Sequence, residues 1–139
     1  MLFLHFRIGG DSFALGTDGI VEVVPLSDLK QMRQAPDGVA GSLEYRGRFV
    51  PVIDLSVLET GTLARRRLST RIIVMRHPAD ENLLIGLMAE NATETLRLDP
   101  IQFTPFATGP HGLVQRIEVQ DLVPPPLLTF LAGQSVASA

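Results

Sequence analysis

Hydrophobic positions alternate from the first residues onward: Leu2, Leu4, Phe6 and Ile8 share one face, and Phe3, His5 and Arg7 the other. A period of two predicts a strand, because successive side chains of an extended chain point to opposite sides. Gly9-Gly10-Asp11 tolerates positive φ and predicts a hairpin turn into a return strand over residues 12–15, with Phe13 and Leu15 on one face. Thr17-Asp18-Gly19 predicts a break or one helical turn. The β-branched run Ile20-Val21-Glu22-Val23-Val24 follows, with Ile20, Glu22 and Val24 expected on one face and Val21 and Val23 on the other. Pro25 is expected to end that strand. Residues 26–32 show no clear period, and Pro36-Asp37-Gly38 marks a turn.

Two strands then flank an Arg46-Gly47 turn, and Pro51 inside the second implies an edge position or a bulge. Residues 56–58 fit one helical turn, and 59–67 form a polar loop, the expected boundary between two subdomains. Further strands are predicted over 71–75, 83–88, 94–98 and 112–119, with a loop over 77–82 and a long irregular connection over 99–111. Pro124-Pro125-Pro126 leads into Leu127, Leu128, Phe130 and Leu131, the spacing of a short amphipathic C-terminal helix. The small, polar tail over 133–139 is expected to fray.

A weak internal repeat underlies this pattern. Residues 13–26 align with 85–98, pairing Leu15 with Leu87, Glu22 with Glu94 and Leu26 with Leu98. Residues 48–55 align with 115–122, each ending in Asp-Leu. Both matches run in the same order, which predicts two related all-β subdomains of about five short strands each, curled into small barrels. The expected partition within a single 1–139 domain is about 13–70 and about 71–122, with the N-terminal strand and C-terminal helix packing across.

Composition narrows the function. The chain has 139 residues, 45% of them hydrophobic and 6% aromatic, so its core is aliphatic, and 12 glycines and 10 prolines suit many short strands. A net charge of −3 gives no surplus of Lys and Arg for nucleic-acid phosphates. Arg65-Arg66-Arg67 is the one basic cluster, expected to be a solvated loop. Cysteine is absent, which excludes disulfides and thiolate chemistry. No apolar run approaches the ~18 residues that span a bilayer. Residues 1–7 lack the basic head and long apolar stretch of a secretory signal, so a cytoplasmic protein is expected.

The candidate chemistry is thin. His5, His77 and His111 show no metal-ligand spacing, and no G-x-S-x-G elbow, phosphate loop or cofactor box is present. Glu90 and Glu94 are expected to face water. Asp18 or Asp54 would serve a small aspartic-type hydrolase only in a symmetric dimer pairing two carboxylates. An oligonucleotide-binding barrel needs exposed aromatics on a basic face, which Tyr45 alone does not supply. A binding module is therefore expected, with no catalytic residues, no metal and no cofactor.

The run Gly41-Ser42-Leu43-Glu44-Tyr45-Arg46-Gly47-Arg48-Phe49-Val50-Pro51-Val52-Ile53-Asp54-Leu55 resembles the signature of CheW-like chemotaxis coupling proteins. Residues 3–22, 36–41, 69–74 and 86–98 also match the family pattern. The Arg65 loop and the Leu68-Ser69-Thr70-Arg71 stretch are similar to the adaptors of Wsp-type surface-sensing systems. Two departures stand out: Glu44 replaces the usual Asn, free to pair with Arg46 or Arg48, and residues 99–112 form a shorter stretch than usual. The second barrel is therefore expected to lack a hairpin or helical turn, with Phe103 and Phe106 patching the gap.

The resemblance implies two SH3-like barrels around a shared core, with short helical turns. It implies a non-catalytic adaptor between the cytoplasmic tip of a membrane chemoreceptor and a CheA-type histidine kinase, recruited to receptor arrays without entering the membrane. It places receptor contact at the groove between subdomains, matched here by Ile20, Glu22, Val23 and Arg46, with Gly41 and Gly47 shaping the backbone nearby. A generic β-barrel interaction module is the bland counterpart, with Ile20 and Val23 as plain core.

Overall fold

The computed structural model describes residues 1–102, 106–109, 112–134 and 136–137. Its elements are β1 (Leu2–Ile8), β2 (Asp11–Gly16), a 3-10 turn (Thr17–Gly19), β3 (Ile20–Pro25), β4 (Val39–Tyr45), β5 (Arg48–Asp54) and α1 (Leu55–Thr60). There follow β6 (Arg71–His77), β7 (Asp80–Arg97), a 3-10 turn (Pro100–Gln102), β8 (Phe106–Gly109) and β9 (Gly112–Ile117). The chain closes with α2 (Val119–Leu122), α3 (Pro125–Ala132) and β10 (Val136–Ala137).

Hydrogen bonds sort the strands into two curled groups joined by β7. The first runs β3-β6-β7-β5-β4, with β7 contributing residues up to Ala89. The second runs β7-β1-β2-β9-β8, with β7 contributing from Glu90 onward. Separate strands expected over 83–88 and 94–98 are thus one 18-residue strand. It bends at the hand-over, where Asn91 adopts φ 53 and the β1–β7 register slips between His5 and Arg7. Asn is among the few non-glycine residues at ease with positive φ, so the strand turns here without breaking.

The expected dividing line near residue 70 is not where the hydrogen bonds draw it. β6, expected to open the second barrel, pairs with β3 and β7 in the first, while β2 belongs to the second. The internal repeat gains a structural meaning. β2 and β3 correspond to the two halves of β7, and β5 corresponds to β9. Indeed β5 runs parallel to the first half of β7 as β9 runs parallel to β2, and each leads into a short helix.

Alternation along the strands feeds three cores. Ile72 and Val74 of β6 join Leu43, Tyr45, Val50 and Val52 inside the first barrel. Phe3, Ala14 and Val114 line the second. Between the barrels lies the largest cluster, containing Phe6, Phe13, Ile53, Ile73, Leu87, Leu122 and Leu131. Each such fully buried side chain is worth about 1.5–3 kcal/mol. Gly86 lets β5 close on β7: a Cβ there would stand 2.9 Å from Val52 Cγ2.

Several local expectations change. Pro51 sits in β5 between β4 and β7, not on an edge strand. Counting outward from the two-residue turn, it occupies a pair whose N–H would point away from β4. On that other side β10 pairs only with Arg48 and Phe49, and β7 only from Val52 onward, so no ladder bond is lost. The 77–82 loop is a tight hairpin at Pro78-Ala79. Val119, expected to close the last strand, instead opens α2, whose start is set by Asp121 Oδ2 accepting the Glu118 N–H at 3.0 Å. The 99–111 segment does contain a helical turn and a hairpin strand, β8. Phe106 is 41% exposed and fills no gap, while Phe103 lies outside the described residues.

Candidate partner-binding site

The signature hairpin β4–β5 is closed by a two-residue turn, Arg46 at φ 48 and Gly47 at φ 76. Two consecutive positive φ values define a turn whose twist matches the flanking strands. Glycine supplies the second at no steric cost; at the first, arginine accepts a strained backbone. The turn projects Arg46 outward while Tyr45 drops its ring into the first barrel.

β3 and β4 are the end strands of that barrel, and side chains span the seam between them. Tyr45 Oη donates to Glu22 Oε1 at 2.6 Å, and Arg46 Nη2 donates to the same oxygen at 2.9 Å. The guanidinium also lies 5.1 Å from the Tyr45 ring centroid, in cation–π range. Burial and the hydrogen bond to Glu22 push the Tyr45 phenol above its ordinary pKa. With side chains 70% and 43% exposed, the Arg46–Glu22 pair contributes only about 0–1 kcal/mol. Its effect is to hold a cation at a fixed place on the surface.

On β3 the register slips between Ile20 and Glu22, leaving Val21 as an extra residue, 37% exposed. The bulge reverses the expected alternation. Ile20 and Val23 both turn toward the inter-barrel core, opposite Met75 and Ile73, while Glu22 and Val24 face the side of Val74 and Ile72. Ile20 and Val23 are therefore half-buried and partly core.

Glu22, Arg46 and Gly47 thus meet where β3 reaches the hairpin tip, while Ile20 and Val23, on the same strand, turn to the opposite side toward the inter-barrel core. Gly41 does not join them: it begins the other end of β4, about 17 Å away by strand rise. At φ 148, with a hypothetical Cβ only 2.7 Å from the Lys30 carbonyl oxygen, it admits the 26–32 segment, whose Lys30 bridges to Ser42. Glu44 is exposed and forms no ion pair among the described residues; Arg46 takes Glu22, and Arg48 donates to the Asn82 carbonyl at 3.0 Å. A cleft of about 310 Å³ between the barrels is lined by Leu15, Asp18, Gly19, Met75, Arg76 and Arg116; Ile20 is not part of its wall.

The carboxylates considered for catalysis are placed otherwise. Asp54 is buried, capping α1 through Oδ1 with the Ser56 and Val57 N–H groups at 3.0 and 3.4 Å, and its Oδ2 accepts from Ala64 at 3.0 Å. The cap was legible as an Asp just before an apolar helical stretch; its third bond, ten residues on, was not. Asp18 sits exposed on a 3-10 turn. His5 is buried on β1. Buried His77 accepts the Ala79 N–H at Nδ1 (3.0 Å), a pattern that assigns its proton to Nε2, 2.8 Å from the Leu128 carbonyl. His111 lies outside the described residues. Glu94 is exposed, but Glu90 is half-buried beside a second cleft.

Twin aliphatic barrels that share β7 define an all-β protein of the SH3-like barrel class. More particularly, the chain belongs to the family of CheW-like domains, whose profile matches residues 2–122. It is 25% identical over 103 residues to the chemotaxis protein CheW of Helicobacter pylori (strain ATCC 700392 / 26695), a match covering 74% of this chain and 61% of that protein. The match therefore spans 61% of that curated relative's length. Scaffolding protein TtCheW from Thermoanaerobacter tengcongensis shares the fold, with TM-score 0.73 and 18% identity over 84% of this chain and 82% of that one.

Proposed function

We propose that this chain couples the cytoplasmic tip of a methyl-accepting chemoreceptor to a CheA-type histidine kinase, with Ile20, Glu22, Val23, Arg46 and Gly47 facing the receptor. The observation that carries the site is the strap: Glu22 accepts from both Tyr45 and Arg46, so an exposed cation is held beside the apolar flank of β3. A helical hairpin carrying an apolar stripe with an acidic neighbour would be complementary to this surface. Holding both partners at once raises their effective concentration for each other. Signalling then requires different affinities for the two receptor states, because an equal binder shifts no equilibrium. Gly41 acts at a distance, by fixing the course of β4.

Cytoplasmic residence with recruitment to receptor arrays belongs to the same reading; no helix of the described residues is long and apolar enough to cross a membrane. The test is co-sedimentation with receptor-containing membranes and kinase. Arg46→Ala keeps a non-glycine residue at φ 48 and removes only an exposed group, so the fold should persist while co-sedimentation is lost. Val23→Glu should also abolish it, but pushes a carboxylate against the shared core and lowers stability too. Full co-sedimentation by folded Arg46→Ala rejects the site; loss of kinase contact alone would redirect it to the kinase side.

A further inference from the structure

Arg65-Arg66-Arg67, expected to be a solvated loop, is held in a defined course. Asp54 Oδ2 accepts the Ala64 N–H at 3.0 Å, Arg65 O accepts the Arg67 N–H at 3.1 Å, and the buried Thr70 hydroxyl donates to Arg65 O. The Arg67–Arg65 bond closes a γ-turn at Arg66, which sets the Arg66 side chain apart from its two neighbours. Arg65 and Arg67 line a cleft of about 350 Å³ between α1, the β1–β2 hairpin and the bend of β7, whereas Arg66 lines a different one beside residues 35–40. Arg7 reaches the same cleft from β1, and its Nε donates to Ser12 Oγ at 3.5 Å. Among the described residues none of these three guanidiniums is in an ion pair, although the chain as a whole carries a net −3.

Three like charges held around one hollow repel each other, and an anion relieves that cost. Arginine's planar fork suits phosphate oxygens, and Thr62 and Asn91 add neutral polar groups to the wall. Glu90 lines the cleft as well, opposite Arg7 in the ladder. Its carboxylate disfavours a bare anion on that side and accepts from a hydroxyl. The volume admits a small molecule and no folded partner. We infer that the Arg7–Arg65–Arg67 cleft binds a small, phosphorylated, hydroxyl-bearing metabolite at the junction of the two barrels, apart from the Arg46 surface.

Calorimetric titration at low ionic strength tests this, with pyrophosphate and ADP as probes. Both should bind, more weakly as salt rises. Arg65→Gln and Arg67→Gln, each made singly, should weaken both by about tenfold, while Arg66→Gln, of equal charge change, should stay within about twofold. All three side chains are exposed, so the fold should be unaffected. Absence of binding, or equal loss in Arg66→Gln, overturns the inference. So does Arg65- and Arg67-dependent sedimentation with phosphatidylglycerol vesicles that pyrophosphate does not compete away, which would assign these arginines to a lipid surface.

Discussion

Tyr45 is the one tyrosine of a chain without tryptophan, so its phenolate absorption band can be followed without interference. Burial and the Glu22 hydrogen bond raise its pKa above 10.0. Between 10.0 and the raised value, the folded chain holds a proton that the unfolded chain has lost, so stability falls as pH rises through that window. Below it, the contribution is fully present. The expected outcome is a spectrophotometric midpoint above that of free phenol, returning toward it in Glu22→Ala. A midpoint unchanged by that substitution would mean the strap is not formed in solution. Asp54→Ala removes the acceptor of three N–H groups and should cost about 1–3 kcal/mol, read as a lower urea midpoint. Asp54 stood out in the sequence as part of the Asp-Leu pair that ends a repeated segment. Its link to Ala64 did not, because a side chain's third partner depends on where a loop returns.

At the scale of elements, two features set the binding surface. The β3 bulge at Val21 turns Ile20 and Val23 to the same side, where simple alternation puts them on opposite faces. Such a bulge carries no residue signature here; it exists because β6 presents Met75 and Val74 in a register that β3 must meet with one residue to spare. The second feature is Gly41. A side chain there meets the Lys30 carbonyl and adopts an unfavourable φ, so Gly41→Ala should destabilise by about 1–3 kcal/mol and raise amide exchange over residues 26–32. Exchange confined to the Arg46 turn would contradict the assignment. His77 joins the β6–β7 hairpin to α3 through the Leu128 carbonyl. His77→Ala should therefore loosen α3 before it disturbs the barrels, visible as early exchange in residues 125–132.

For the whole molecule, the decisive fact is that the largest apolar cluster belongs to neither barrel. β1, β2, β5, β6, β7, α2 and α3 all contribute to it, and β7 is a strand of both barrels. Neither half retains a complete core alone, so calorimetry should give one unfolding transition with equal calorimetric and van't Hoff enthalpies. Two resolved transitions would show that the barrels are independent. The same architecture explains why the boundary at residue 70 failed. A polar loop is a reasonable place to divide a chain, but β6 after it returns to β3 before it, and hydrogen bonding rather than sequence order decides membership.

Strand propensity, the Gly-Asp and Arg-Gly turns, the C-terminal helix and the Asp-Leu repeats are local properties. They depend on residues a few positions apart, and Phe13, Arg46-Gly47 and Leu127 declared them in the sequence. That repeated order also carried the equivalence of β5 with β9. Tertiary structure alone settled the Tyr45–Glu22–Arg46 strap, the bend of β7, the β3 bulge and the gathering of Arg7 with Arg65 and Arg67. Each joins positions far apart along the chain, and such meetings are decided by register and barrel closure, which no short window of residues contains.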